Sequence, residues 1–285
     1  MVINGLWIGG SLSSVEILCI KSFLDNGHEF VLWTYGKLDN DLPEGLAIRD
    51  AGEIIPAEQV FQYRHKNQFG HGKGSYAGFS DIFRYKLLYD RGGWWADMDI
   101  TCLKPLDFQA PYVFRTHHNL KVVGNIMKCP PGSELMLRCY QLASESVNAE
   151  NRDWHKPIQI LNDTIEELGL QQYIIEMSNR DSWNEVRKMI NRYKKIPGHW
   201  YVIHWINVEW PRNGVNKEYS GKDSLLRSLY EKHQVPVHVL TPRERLKNRL
   251  RLSLSVVTAR YLWSWGWGYV AYYFRYFRKK PRSGQ

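Results

Sequence analysis

Two aspartates, Asp97 and Asp99, stand one residue apart at the end of a short apolar run, residues 94–96. In an extended chain, alternate side chains point the same way, so both carboxylates should reach one point while Met98 faces the core. Ligand sets made only of oxygen suit Mg²⁺ or Mn²⁺, which keep open positions for phosphate oxygens. The pair therefore predicts a cation site able to grip a diphosphate. A solvated acidic turn is the plainer alternative.

A helix and a glycine turn precede the acid pair and must position it. Apolar residues recur every four positions from Phe79 to Leu87, which predicts a helix over residues 76–89 with one apolar face. Gly92-Gly93 should end this helix, because glycine adopts the left-handed backbone of a helix end without strain. Residues 94–96 then follow as a short buried strand that delivers the two acids.

Asp81 and Arg84 lie three residues apart on one side of this predicted helix. Together, a carboxylate and a guanidinium can accept from and donate to the hydroxyls of a sugar. A plain surface ion pair explains the same spacing equally well, so the sequence leaves both readings open.

The first thirty-four residues are typical of a strand–helix–strand unit in an open parallel sheet. Such sheets bind ligands beyond the carboxyl ends of their strands, and Trp7, Ile8 and Gly9 occupy one of these ends. Glycine there lets a ligand approach the backbone closely. A buried core aromatic is the alternative for Trp7.

His204 ends a second apolar run, residues 201–204, and is followed by two tryptophans. It could complete the metal shell with Asp97 and Asp99 or bind a phosphate. Equally, it could be a histidine packed between tryptophans. Trp205 or Trp210 could close over a bound donor as a lid.

Charge is concentrated in the last 45 residues. Of the 285 residues, those from 241 to 285 include eleven Lys or Arg and one acid, a net charge of +10. The whole chain carries +9, so residues 1–240 carry −1. We therefore expect one domain over residues 1–240 and a separate basic tail over 241–285. The nearly neutral body argues against nucleic acid as its substrate.

The tail combines its basic residues with an aromatic stretch, residues 261–274, too short to span a bilayer. Tryptophan and tyrosine flanked by basic residues suit the headgroup layer of an anionic membrane, so we expect a helix that contacts a membrane surface. The alternatives are an aromatic helix packed on the domain and nucleic-acid binding. The chain shows no signal-peptide pattern and its four cysteines lack metal spacing, which favours a cytoplasmic, peripherally membrane-associated protein.

The acid pair and its surroundings resemble the sugar-binding region of glycosyltransferases with the DXD motif. The matching residues are Ser80-Asp81, Arg84, Gly92-Gly93 and Asp97-Met98-Asp99, with a second match at Leu6-Trp7-Ile8-Gly9-Gly10. The chain looks like the bacterial and fungal α-glycosyltransferases that include yeast initiating mannosyltransferases, and like the large clostridial glucosylating toxins.

This resemblance implies an α/β domain of GT-A type, with a Rossmann-like mixed sheet flanked by helices. It implies a retaining transfer that depends on Mn²⁺ or Mg²⁺, from a nucleotide-sugar donor, favouring UDP, to a glycan or lipid-linked acceptor. Asp99 would bind the metal most directly and Asp97 would contact both metal and donor. The predicted donor-binding residues are Trp7, Ile8, Gly9, Asp81, Arg84, Asn125 and Trp205, with His204 as a further metal ligand.

Two other functions fit the acid pair. One is a metal-dependent phosphotransferase or phosphatase with an aspartyl nucleophile, although such motifs usually follow the first strand and this pair lies near residue 100. The other is a non-catalytic, membrane-bound carbohydrate-binding protein.

Overall fold

A mixed sheet forms the centre of the protein. The computed structural model describes residues 1–70, 72–192 and 195–253. The strands of this part are β1 (Val2–Trp7), β2 (Glu29–Thr34), β3 (Leu46–Asp50), β4 (Gly93–Ala96), β5 (Ile100–Cys102), β6 (Val113–His117), β7 (Lys121–Cys129), β8 (Ile174–Ile175) and β9 (Val202–His204).

Helices cover both faces of this sheet. They are α1 (Ser14–Asp25), α2 (Ala77–Arg91), α3 (Glu134–Ser146), α4 (Lys156–Glu167), α5 (Trp183–Asn191), α6 (Glu209–Arg212), α7 (Leu225–Lys232) and α8 (Pro242–Leu252).

Seven strands form the main sheet in the order β3-β2-β1-β4-β7-β6-β8. β3, β2, β1 and β4 run parallel to one another, whereas β7 pairs antiparallel with both β4 and β6. A second, two-stranded sheet pairs β5 with β9. The expected α/β class, a Rossmann-like mixed sheet flanked by helices, is confirmed.

A hydrophobic core lies on each face of the sheet, and two neighbouring tryptophans in β4 contribute one side chain to each core. Trp94 packs into the core on the side of α1, α5 and α7, and Trp95 packs into the core beneath α2, α3 and α4. Both side chains are fully buried. Successive side chains of a strand face opposite sides of the sheet, so β4 is buried on both faces and its carboxyl end is held firmly.

α2 forms where the apolar repeat predicts it, within two residues at either end. Phe79, Phe83 and Leu87 are buried along one face. Gly92 ends the helix with a φ of 64°, a backbone conformation that glycine adopts at little cost. Because β4 begins at the next residue, this turn fixes the helix and the acid pair relative to one another.

α8, the start of the basic tail, packs against the domain. The side chain of Asn248 accepts a hydrogen bond from the backbone N–H of Asn216 at 2.7 Å. Arg187 donates to the carbonyl of Leu252 at 3.2 Å. The aromatic stretch on which the membrane prediction depends, residues 261–274, lies outside the described residues. In the part of the chain that is described, none of the helices combines the length and the apolar character needed to cross a bilayer.

Candidate functional site

A cleft of about 890 Å³ lies at the carboxyl ends of β1 and β4. It brings together most of the residues that the sequence singled out: Trp7, Ile8, Asp81, Arg84, Asp97, Asp99, Asn125 and His204. These residues come from five separate stretches of the chain. Their convergence on one concave surface makes it the candidate functional site.

The acids reach the cleft through a turn, so the predicted extended chain is wrong at this point. The N–H of Ile100 donates to the carbonyl of Asp97 at 3.0 Å, which closes a turn over residues 97–100. The N–H of Asp97 donates to the carbonyl of Asn125 in β7 at 2.8 Å. Met98 is buried as expected. The carboxylates share a cleft because the chain bends between the two sheets, and strand alternation is not the cause.

Asp97 is anchored through one of its two oxygens. Its Oδ1 accepts hydrogen bonds from Arg84 Nη2 at 2.8 Å and from the indole nitrogen of Trp95 at 2.7 Å. Among the described residues, no hydrogen bond engages Oδ2. Burial raises the pKa of Asp97, Arg84 opposes that rise, and the nearby charge of Asp99 adds to it. A cation beside Asp97 would relieve this repulsion.

Asp99 is anchored from the opposite side of the cleft. Its Oδ2 accepts the backbone N–H of Asn207 at 2.6 Å and lies 3.3 Å from Nε2 of His204. Burial would raise the pKa of Asp99, but His204 and the Asn207 N–H outweigh it and lower the pKa. The environments of the two acids therefore push their pKa values in opposite directions, as at many functional sites.

Arg84 links the predicted sugar-binding pair to the acid pair. It contacts Asp81 at 2.9 Å through Nη1 while Nη2 holds Asp97. Burial raises the pKa of Asp81 to about 6, against the opposing effect of Arg84. A Cβ on Gly124 would lie 2.3 Å from Nη1, so only glycine leaves room for the guanidinium. Arg84 is buried and the side chain of Asp81 is 15% exposed at the cleft, which rules out the plain surface ion pair.

His204 lies between two carboxylates. Its Nδ1 is 2.8 Å from Asp181 and its Nε2 is 3.3 Å from Asp99. Burial works against a charged ring, but Asp181 and Asp99 together raise the pKa of His204 to about 10. In this arrangement His204 is a cation that balances Asp99. Its role as a metal ligand stays a prediction.

Asp181 was missed in the sequence because it lies in a segment without a recognisable pattern. It is bound by the buried Arg115 at 2.6 Å and lies 3.4 Å from His117. His204 and Arg115 lower the pKa of Asp181 against the effect of burial. Opposite charges thus alternate from Asp99 through His204 and Asp181 to Arg115, a pattern that keeps buried charges paired.

Two of the predicted donor-binding residues do not line the cleft. Trp205 is fully buried, and its indole nitrogen donates to Thr101 Oγ1 at 2.7 Å. Gly9 is exposed outside the lining. Trp210 borders the cleft but is also fully buried, whereas Trp7 lines it as expected. Because neither Trp205 nor Trp210 has free surface, their positions do not support donor contact or a lid.

Asn207 is a further polar residue that the sequence reading passed over, although it stands three residues after His204. Asn207 lines the cleft, and its side-chain oxygen is buried and has no hydrogen-bond partner among the described residues. Those residues contain no group of three His, Cys, Asp or Glu side chains placed to hold a metal. Asp97, Asp99 and Asn207 all line the cleft, and their side-chain oxygens are of the kind that a hard cation prefers.

Comparisons with known proteins relate part of this chain to a family. None of the curated proteins compared with the chain matches it. Among solved structures, the PaToxG glycosyltransferase is 13% identical, with a TM-score of 0.44 over 88% of this chain and 83% of the other. The ligand-free glycosyltransferase domain from the YGT toxin is 9% identical, with a TM-score of 0.40 over 88% and 89% of the two chains.

Because the identities and TM-scores of these structures are low, it is the match to a family model that relates the chain to known proteins. Residues 14–115 match the family described as the glycosyltransferase sugar-binding region containing the DXD motif. The matched segment includes Asp81, Arg84, Asp97 and Asp99, and it supports a sugar-transfer function. The resemblance noted in the sequence is confirmed: residues 14–115 match the sugar-binding region of the DXD-motif glycosyltransferases.

Proposed function

We propose that this protein is a metal-dependent, retaining glycosyltransferase that moves a sugar from a nucleotide-sugar, preferably a UDP-sugar, to the hydroxyl of a glycan or lipid-linked acceptor. One observation carries the proposal. Asp97 and Asp99, fastened by different partners, share a cleft with the Asp81–Arg84 pair and with Trp7. That set provides places for a cation, a sugar and a base.

Mn²⁺ or Mg²⁺ would be held by Asp97, Asp99 and Asn207. The free Oδ2 of Asp97 and the unpartnered side-chain oxygen of Asn207 support this assignment. When bound, such a cation neutralises the negative charge that develops on a departing diphosphate.

The donor sugar would lie against Asp81 and Arg84. Arg84 is held by carboxylates on two sides, so its guanidinium is fixed before a substrate arrives. Preorganised groups of this kind lose little entropy on binding. Trp7, half-buried at the end of β1, offers an indole face on which the nucleobase would stack.

Retention is proposed from the family resemblance, and the state of the carboxylates supports attack from the side of the leaving group. The cleft is lined by four carboxylates, those of Asp81, Asp97, Asp99 and Asp181. Each forms an ion pair within the protein. Since an ion-paired carboxylate is a poor nucleophile, the acceptor hydroxyl would attack directly and pass its proton to the departing phosphate.

The cleft has room for an acceptor beside the donor. Its volume of about 890 Å³ is at the upper end of the roughly 300–1,000 Å³ of ligand sites. The lining extends beyond the acids to residues 154–158 at the start of α4. This end of the cleft is where we expect the acceptor to enter.

Metal-dependent cleavage of nucleotide-sugars tests the proposal. The protein would be incubated with UDP- and GDP-sugars and Mn²⁺, and release of the free nucleoside diphosphate would be measured. We expect cleavage of one donor, lost in Asp97→Asn and Asp99→Asn variants that keep the thermal unfolding temperature of the parent.

The same experiment distinguishes the other functions considered. A phosphatase would release inorganic phosphate from simple phosphomonoesters, and a carbohydrate-binding protein would cleave no donor. Full donor cleavage in either aspartate variant would refute the proposed roles of the acid pair.

A further inference from the structure

A second, smaller pocket of about 100 Å³ lies where α7 meets the segment that leads into α8. It shares no lining residue with the cleft. A volume of this size accommodates one tetrahedral oxyanion, since a single water needs only about 10–15 Å³. Its lining residues are Glu218, Tyr219, Ser220, Arg227, Val237, His238, Val239, Leu240 and Arg245.

Two arginines supply unbalanced positive charge to this pocket. In the part of the chain that the structure describes, neither Arg227 nor Arg245 forms an ion pair. Arg245 uses its Nε to bind the carbonyl of Leu240 at 3.2 Å, which orients the guanidinium at the pocket. The charges of Arg249 and Arg245 reach Tyr219, where they oppose the rise in pKa that burial causes.

The one acid of the pocket is already satisfied. Glu218 accepts the backbone N–H of Ser14 at 3.0 Å and that of His238 at 3.0 Å, and it also accepts the Ser14 hydroxyl. With three donors, its carboxylate has little capacity left to pair with an arginine. The pocket therefore keeps a net attraction for an anion.

A buried hydroxyl in the lining has no partner. Ser220 is only 8% exposed, and its Oγ forms no hydrogen bond among the described residues. Buried polar atoms are nearly always hydrogen-bonded in folded proteins. A hydroxyl from the lining of a pocket with two arginines is suited to donate to an oxyanion.

We propose that this pocket binds a phosphate group, with Ser220, Arg227 and Arg245 as its donors. Guanidinium groups bind phosphate oxygens with paired, charge-assisted hydrogen bonds, and the Ser220 hydroxyl contributes one more. The phosphate could come from solution or from the phosphomonoester headgroup of a lipid such as phosphatidic acid. The site is separate from the proposed sugar-transfer chemistry.

The surface around the pocket combines exposed apolar side chains with basic ones, as on protein surfaces that bind anionic lipids. Val239 is 87% exposed at its rim, and Leu246 and Leu250 are 58% and 52% exposed on successive turns of α8. Arg243 and Lys247 lie beside them on the same helix. Exposed apolar side chains next to basic ones favour the interface of an anionic bilayer, so the lipid source must be tested alongside free phosphate.

Phosphate binding to the full chain, measured by titration calorimetry with inorganic phosphate, tests the site. Ser220→Ala and Arg245→Gln should each weaken the affinity about tenfold, because each removes a hydrogen bond to a charged group. Arg243→Gln is the matched control, since it removes the same charge from α8 outside the pocket. We expect it to change the affinity less than about twofold.

Co-sedimentation with phosphatidylcholine vesicles, with and without phosphatidic acid, then separates the two sources. If Ser220→Ala weakens both phosphate and vesicle binding, the ligand is a lipid headgroup. If it weakens phosphate binding alone, the ligand is a soluble phosphate. The proposal is overturned if all variants bind phosphate equally, or if Arg243→Gln loses as much affinity as Arg245→Gln. Nucleotide-sugar cleavage should be unchanged in all three variants, which keeps this test independent of the sugar-transfer proposal.

Discussion

The guanidinium of Arg84 donates through Nη2 to Oδ1 of Asp97 at 2.8 Å. This bond joins the middle of α2 to the end of β4, so a helix residue sets the orientation of a cleft carboxylate. It also leaves the second oxygen of Asp97 without a hydrogen bond among the described residues. One contact therefore stabilises the fold and prepares the proposed cation site.

Replacing Arg84 should destabilise the protein strongly. Arg84→Met leaves the carboxylates of Asp81 and Asp97, which are 15% and 31% exposed, without their cation, which should lower the free energy of unfolding by about 2–3 kcal/mol. Urea denaturation measures the change. Arg138→Gln breaks an ion pair that is largely exposed and should cost less than about 1 kcal/mol. Equal losses in the two variants would contradict a buried, structural role for Arg84.

Asp181→Asn should slow sugar transfer and also lower the stability of the protein, because the buried Arg115 loses its carboxylate partner. The substitution removes the charge that holds His204 beside Asp99, so Asp99 loses its fixed orientation. Losses of about 10–100-fold are typical when such supporting residues are changed. The measurement is kcat for donor cleavage, and Asp163→Asn, an exposed change in α4, is the control. A parent-like kcat in Asp181→Asn would show that the ion pair with His204 is not needed.

Asn207→Ala should weaken cation binding. The substitution removes a buried oxygen that has no protein donor among the described residues. We expect the affinity for Mn²⁺ to fall about tenfold, the effect of losing roughly 1.4 kcal/mol of binding free energy. The electron paramagnetic resonance signal of free Mn²⁺ reports this binding directly, without turnover. Asn213→Ala, which changes a side chain bound to Glu209 outside the cleft lining, should leave the titration unaltered.

Trp7→Ala should weaken nucleotide binding with little effect on the fold. Stacking of a base on an aromatic side chain contributes about 1–3 kcal/mol, so the Kd for UDP should rise about tenfold or more. Trp205→Ala should behave in the opposite way. That residue is fully buried, and its loss should cost about 3–5 kcal/mol of stability. Calorimetric titration with UDP and thermal unfolding of both variants separate the two roles.

His117 should make stability depend on pH. Burial lowers the pKa of His117 to about 4, whereas an unfolded histidine takes up a proton near pH 6.5. Between these values the unfolded state binds more protons, so stability falls as the pH is lowered from 6.5 towards 4. The contribution is up to about 3 kcal/mol.

The matching experiment compares unfolding free energies at pH 4.5 and pH 7.5. His117→Gln should reduce the difference between the two values. His199→Gln, at an exposed histidine, should preserve it. An unchanged difference in His117→Gln would show that this imidazole does not titrate as its buried position implies.

Short-range sequence patterns correctly predicted the secondary-structure elements that position the site. The apolar repeat of α2, the glycine turn and the buried β4 are short-range features, and the structure reproduces each of them. The convergence of Trp7 with the acid pair also followed, because carboxyl ends of parallel strands share an edge of the sheet.

The remaining parts depend on contacts between distant segments. Asp181 and Arg115 have no local signature, and only folding brings them to His204. Trp205 and Trp210 look alike in the sequence, and both are fully buried in the same core, although only Trp210 borders the cleft. The turn at Met98 was mistaken for a strand because an alternating pattern of three residues fits both conformations.

The two acids of the DXD motif lie in the turn that connects the seven-stranded sheet to the two-stranded sheet. Asp97 is fastened to the seven-stranded sheet through Arg84 and Trp95, whereas Asp99 is fastened beside the small sheet through His204 and Asn207. The distance between the two carboxylates that would bind an ion therefore depends on how the two sheets are positioned relative to each other. A mutation distant from the cleft that shifts one sheet relative to the other would change the affinity for the cation, even though neither aspartate contacts the mutated residue.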